Sequence, residues 1–160
     1  MRLIIPRRVS DQLVNALREA GARETGGILM GEQIKEGYFL VHEATVQSNA
    51  GTTGRFLRAP HQAATALSRF FDETGHDYRR FNYLGEWHSH PSLPLEPSVR
   101  DHATMWSILY DKTVGAGFAV LLILSLDSDM RLLTDASVYV RGHKPSKVIV
   151  IGESRSYVEH

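Results

Sequence analysis

Residues 86–101 are EWHSHPSLPLEPSVRD. With the preceding FNYLG (81–85) the first residues form a strand pattern, FNYLGEWHSH. Side chains alternate faces on a strand, so His88 and His90 point the same way and Ser89 the other. Pro91 ends the strand and leaves both rings at its C-terminal end. Ser98 and Asp101 open the next helix, SVRDHATMWSILY. Their spacing of three keeps them on one helical face. The proline-containing connection is short enough to fold Asp101 back toward the histidines. Two imidazole nitrogens and one carboxylate oxygen suit a single Zn2+. A bound water would complete the tetrahedron, which is the arrangement of a catalytic rather than a structural site. Water held that way has its pKa lowered to about 7.

Each half of the stretch also has an ordinary structural explanation. A histidine on a strand is commonly a packing residue. Ser98-Val-Arg-Asp101 loosely matches a capping box, with Asp in place of the usual Glu or Gln. The cap and the metal site are compatible, because a serine can cap a helix and still face an ion.

The rest of the chain limits the function classes. Its 160 residues fit one domain spanning 1–160. A chain of that length buries about 68–70% of its unfolded surface, so it needs no metal or disulfide to hold a core. A metal here would serve function. Hydrophobic residues make up 42% and charged residues 22%, as in an ordinary soluble globule. Eighteen Lys and Arg balance eighteen Asp and Glu, which gives no global case for nucleic acid or an anionic membrane. The absence of cysteine excludes disulfides, cysteine zinc sites and a thiol nucleophile. It suits a reducing cytoplasm. The N-terminus MRLIIPRRVSDQ lacks the apolar run of a signal peptide. GAGFAVLLILSL (115–126) is too short to span a membrane and has the composition of a buried strand.

Periodicity supplies the remaining elements. RLII is a first strand. SDQLVNALREAG (10–21) is a helix capped by Ser10, with Leu13, Val14, Leu17 and Ala20 on one face and Gly21 at its end. ETGGILMGE and GYFLVHEATV are strands joined through the polar turn QIKE. APHQAATALSRFFDETG is a second helix with Pro60 in its first turn and a stripe of Ala63, Leu67, Phe70 and Phe71. Three more strands follow near 117–125, 132–140 and 147–151. Helices interspersed among strands predict an α/β fold, a central mixed β-sheet with flanking helices.

The pattern H-x-H, seven residues, S, two residues, D resembles the signature of the JAMM (MPN-plus, JAB) metalloprotease family. His88, His90, Ser98 and Asp101 match it at every position, and Pro91 matches the usual H-[ST]-H-P form. The resemblance extends from about Pro6 to Val150. It implies the JAB/MPN fold, similar to the cytidine-deaminase architecture. Deaminase chemistry itself needs H-x-E with P-C-x-x-C, which a cysteine-free chain lacks. It further implies that His88, His90 and Asp101 hold one zinc ion and that Ser98 hydrogen-bonds the oxyanion. The general base would be Glu24, in ETGGILMG, where two glycines allow backbone or substrate to approach. From the residues alone Glu86 is a rival, because 86, 88 and 90 share a face, and Glu32 and Glu43 are further candidates. Glu24 could otherwise be a solvated strand-start carboxylate. Glu86 could be a partner behind the ligands or a solvent-facing residue.

Compact proteins of this kind resemble the prokaryotic branch. Its members cut peptide or isopeptide bonds after the C-terminal glycine of ubiquitin-like proteins, some beside E1-like and E2-like enzymes in antiviral defence. The substrate implied is therefore a ubiquitin-like tail, pairing as an extended strand beside the metal. The alternatives are processing of a sulfur-carrier protein, hydrolysis of short amides on the same zinc site, and a non-catalytic MPN scaffold. Scaffold relatives typically lose ligands, and here all are present.

Other conspicuous residues receive no site role. His102 follows Asp101, but one helical step rotates it about 100° away. His42, His61, His76, His143 and His160 have no spaced partner. Trp87 faces the core side. Arg7–Arg8 and Arg79–Arg80 are expected at the solvated surface. The loop Gln47–Gly54 either borders the substrate groove or is a plain connection.

Overall fold

The computed structural model describes residues 1–47, 60–92 and 94–153, without the side chains of 60–62. The elements run β1 (Arg2–Ile5), α1 (Arg7–Ala20), β2 (Gly26–Lys35), β3 (Tyr38–Ala44), α2 (Pro60–Glu73), β4 (Phe81–Ser89), α3 (Val99–Tyr110), β5 (Phe118–Leu126), β6 (Leu132–Val140), β7 (Ser146–Lys147) and β8 (Ile149–Gly152). The eight strands form one mixed sheet in the order β7-β6-β5-β4-β2-β3-β1-β8. β7 and β8 are separated only by Val148, yet they lie at opposite edges of that order. The sheet must therefore curl until its edges nearly meet, and it is almost a barrel. The Val148 N–H bonds the Ala136 carbonyl at this seam (2.9 Å). The expected α/β fold is present, and the strand expected at 147–151 is two short ones.

The curl separates two faces. The inner face wraps α1: Val9, Leu13, Ala16 and Leu17 pack with Leu29, Val41, Trp87, Leu122 and Leu124. On the outer face α2 covers Ile28 and Met30 through Phe70. Beside it α3 covers Leu121 and Ile123 through Met105, Ile108 and Leu109. The gap between α2 and α3 lies over β4. Among the described residues no helix is long and apolar enough to cross a membrane.

Several sequence expectations are corrected. Helix α1 starts three residues before Ser10, at Arg7, and its N-cap is Pro6 with φ −60°. The fixed proline φ suits the entry, and the Pro6 carbonyl accepts from the N–H groups of Val9 and Ser10. Ser10 is therefore inside the helix, and its side chain is not the cap. The buried stripe uses Val9 and Ala16 where Val14 and Ala20 were expected, and those two are half-buried at its rim. The QIKE turn is mostly strand: β2 runs to Lys35, which pairs with Tyr38, leaving Glu36 and Gly37 as the turn. Residues 48–54 of the predicted loop, the side chain of His61, and His160 lie outside the described residues.

Gly85 sits in the middle of β4 with φ +151°. A Cβ there would lie 1.9 Å from the Val120 carbonyl oxygen on β5. That obstacle is backbone in a central strand and cannot swing aside. Gly85→Ala is expected to destabilise the protein by about 3 kcal/mol. For a chain of this size that is a fall in Tm of about 6–12 °C in a thermal melt.

Candidate metal centre

β4 lies between β2 and β5, with His88 opposite Gly26 on one side and Ile123 on the other. His88 and Ile123 share the outer face. Trp87 and Leu122 share the inner one, where Trp87 is fully buried and donates its indole N–H to the Thr45 carbonyl (2.8 Å). His90 follows the end of β4, held by its backbone N–H to the Leu124 carbonyl (2.9 Å). The alternation expected from sequence thus brings both imidazoles to one spot, 3.0 Å apart at their Nε2 atoms.

The loop after Pro91 returns Asp101 to the pair. Its Oδ1 lies 3.3 Å from His88 Nε2 and its Oδ2 lies 3.5 Å from His90 Nε2. The reciprocal capping box is complete: the Ser98 N–H donates to Asp101 Oδ2 (2.7 Å), and the Asp101 N–H donates to Ser98 Oγ (3.1 Å). Ser98 is thus an acceptor toward its helix, and its hydroxyl proton can be given elsewhere. Both the capping explanation and the juxtaposition of the four residues hold at once.

The donor set suits zinc. Ligands about 2.0–2.1 Å from a tetrahedral ion lie about 3.3 Å from one another. The separations of 3.0, 3.3 and 3.5 Å match that edge. His90 Nδ1 donates to the Pro94 carbonyl (2.9 Å), which leaves the lone pair on Nε2, the nitrogen facing the cluster. His88, His90 and Asp101 are the group of potential metal ligands among the described residues.

The electrostatics follow from this crowding. Burial alone would raise the Asp101 carboxyl, but hydrogen bonds to His88 and His90, the His88 charge and the Ser98 amide outweigh it. They hold Asp101 well below the usual carboxylate range. His90 moves the other way. Burial opposes its charged form, yet Asp101, the Pro94 carbonyl and the charge of Glu24 together raise its pKa.

Glu24 precedes β2. The Ser89 N–H bonds the Thr25 carbonyl (2.8 Å) and the Thr25 N–H bonds Ser89 Oγ (3.0 Å). Continuing that antiparallel register sets Glu24 opposite His90. It is buried at 6% exposure, so it is not a solvated strand-start carboxylate. Gly27 admits the Thr45 carbonyl to 2.0 Å from where a Cβ would stand, a close backbone approach that only glycine permits. Ser89 is the residue that sequence reasoning missed. Its side chain points away from the ligands, yet it ties the segment carrying Glu24 to the strand carrying the histidines. A polar residue on the apolar face of a buried strand is the signal that could have revealed it.

The rival carboxylates sit elsewhere. Glu86 is on the same face as His88 but buried at 4% exposure, opposite Ile28 and Leu121, so it does not face solvent. Glu32 pairs with His42 (2.8 Å) and Arg80 (3.1 Å), opposite Phe81 at the far end of β4. Glu43 pairs with Arg69 (2.6 Å). His42 therefore has a partner that spacing did not disclose. Arg80 is no idle surface cation, since it also stacks over Phe81 (4.9 Å). His76 likewise contacts Asp72 (2.9 Å) and Tyr78 (2.7 Å). His102 turns away from the cluster, to the Tyr139 hydroxyl (2.8 Å).

The family model "prokaryotic homologs of the JAB domain" matches residues 6–136. The chain is 31% identical over 149 residues to a protein of Enterobacter hormaechei subsp. hoffmannii (strain UCI 50) named CD-NTase/cGAS isopeptidase, covering 91% of this chain and 79% of that one. The solution structure of protein DSY2949 from Desulfitobacterium hafniense shares the fold, with a TM-score of 0.66 at 19% identity over 99% of each chain. With the family pattern spanning most of its length, the chain belongs to the prokaryotic homologues of the JAB domain.

Proposed function

We propose that this protein is a zinc-dependent isopeptidase. It hydrolyses the bond after the C-terminal glycine of a ubiquitin-like protein, in the cytoplasm. The observation that carries the reading is the convergence of His88, His90 and Asp101 at tetrahedral spacing with Glu24 buried opposite His90. The isopeptidase name of the Enterobacter relative supports the bond class, and by that likeness a CD-NTase/cGAS-type protein is the acceptor of the conjugate. E1-like and E2-like enzymes would build that conjugate.

Zinc, when bound by His88, His90 and Asp101, supplies a polarised water and a Lewis acid for the scissile carbonyl. Glu24 takes the proton of the attacking water and returns it to the leaving amine. Ser98 gives its hydroxyl proton as a hydrogen bond to the carbonyl oxygen as negative charge develops there. Its fixed place at the helix N-cap means that this donor is aimed before the substrate arrives. Pro94 fixes the tautomer of His90 and the capping box fixes the rotamer of Asp101, so both would hold a metal without rearranging.

The test is cleavage of a ubiquitin-like fusion, with and without chelator. Cleavage should stop on chelation and return with added zinc. Asp101→Ala should lose zinc binding by about 10–100-fold or more. Glu24→Gln should keep zinc and lose turnover by about 10²–10⁴-fold. Ser98→Ala should reduce kcat by about 10²–10³-fold. Chelator-insensitive cleavage, or full activity in Glu24→Gln, would overturn the mechanism. Hydrolysis of short amides with no glycine-ended tail accepted would overturn the substrate class.

Zinc binding should also depend on pH with a definite sign. The metal needs neutral imidazole, and His90 in the metal-free protein holds its proton more tightly than an ordinary histidine. Below its raised pKa, apparent zinc affinity should fall about tenfold per pH unit for each proton displaced. Asp101, held ionised, should contribute nothing to that slope between about pH 5 and 8. Zinc titrations across that range measure it, and a flat profile would contradict it.

A further inference from the structure

The first turn of α3, capped by Ser98, carries Asp101, and beyond the contacts of Asp101 with His88 and His90 little apolar packing holds it to the sheet. Of residues 99–104 only Asp101 and His102 are not exposed, and Val99 is 87% exposed. The apolar anchors of the helix, Met105, Ile108 and Leu109, begin a full turn later. Leu95, before the helix, packs against that cluster while remaining only partly buried. The capping box ties the turn to itself, not to the sheet.

We propose that the hydrogen bond between Tyr139 and His102 positions Asp101 for metal binding, by fastening the first turn of α3 to β6. The inference rests on the zinc reading of the site. Tyr139 is fully buried on β6, opposite Ala119, and its hydroxyl lies 2.8 Å from His102 Nδ1. Trp106, one turn along α3, packs edge-on against the same ring at 5.4 Å. The phenol is thus held by the helix on one side and the strand on the other. His102 is the neighbour of Asp101, and its own N–H closes the turn onto the Ser98 carbonyl (3.0 Å). Because His102 and Asp101 are adjacent on the same turn, a displacement of the turn that lengthens the Tyr139 contact also moves Asp101 relative to the histidines. Burial and the charges of Asp101 and Asp135 raise the phenol pKa, so the hydroxyl keeps its proton.

The consequence is a residue set that touches neither metal nor substrate but sets zinc affinity. The step from Asp101 to His102 that removes the histidine from the ligand set is what allows it to hold the sheet. The role needs a buried hydroxyl on β6 and a ring nitrogen at this one position of α3.

The experiment is zinc titration of the folded metal-free protein with a competing chelator, alongside a thermal melt. Tyr139→Phe removes one oxygen and keeps the packing, and His102→Leu removes the other partner. Each is expected to weaken zinc binding by about tenfold. The double variant should lose no more than either single change, because both delete one interaction. Phe70→Leu, in the α2 core away from the site, is the control: it should lower Tm and leave zinc affinity unchanged. Wild-type zinc affinity in either single variant overturns the proposal, as does strict additivity in the double. If the unaltered protein binds no zinc, the reading of the site has failed and the proposal falls with it. That outcome is distinct from a wild type that binds and variants that bind equally well.

Discussion

One carboxylate holds the site together. Asp101 Oδ2 accepts the Ser98 amide at 2.7 Å and stands 3.5 Å from His90, while Oδ1 stands 3.3 Å from His88. The same group is a helix cap and a metal-ligand candidate. Helix geometry fixes this coupling, because the N-cap and the third helical residue are the positions whose side chains and amides reach each other. A loop ending in S-x-x-D therefore delivers a hydroxyl donor and a carboxylate at a set separation. The cap is worth about 1 kcal/mol to the helix, so the helix favours the rotamer that the site requires.

The curled sheet determines where such a cluster can sit. Its inner face is filled by α1 and by apolar side chains from every strand except β7. A buried polar cluster there would have no route to water. On the outer face α2 and α3 cover separate patches, and β4 runs between them. The ligands occupy the end of that strip, where β4 stops and the chain turns at Pro91. Burial is deep enough to strengthen the interactions among His88, His90 and Asp101, and of the three Asp101 keeps the most exposure.

The local half of the site was legible in the sequence, and the non-local half was not. Alternation on one strand placed His88 with His90, and helical spacing placed Ser98 with Asp101. Both periodicities belong to a single element and survive whatever surrounds them. Glu24 was reachable only through family resemblance, because its place opposite His90 depends on which strand pairs with β4 and in what register. Ser89 was overlooked for the same reason, since its hydrogen bond to Thr25 exists only once that pairing is made. The carboxylate partner of His42, Glu32, lies on β2, so its role was invisible to spacing within β3. The fold class followed from interspersed helices and strands. The near closure of the sheet did not, because it depends on Val148 parting what looked like one strand.

Two buried glutamates near the cluster show how register assigns chemistry. Glu86 shares a strand and a face with His88, which made it the natural rival from sequence. It lies two residues deeper than His88, about 7 Å along β4, flanked by Ile28 and Leu121, themselves 3% and 1% exposed. A proton taken there would have to cross apolar packing to reach a leaving amine at the strand end. Glu24 lies at the end itself, beyond the first residue of β2 and facing His90. On the proposed reading, a carboxylate at that position would exchange a proton with the attacking water and then with the departing nitrogen without moving its backbone. The distinction does not come from burial, which is nearly equal at 6% and 4%. It comes from which end of the outer-face strip each carboxylate occupies. That position is fixed by the Ser89–Thr25 pair, which sets the segment carrying Glu24 against the strand of the histidines.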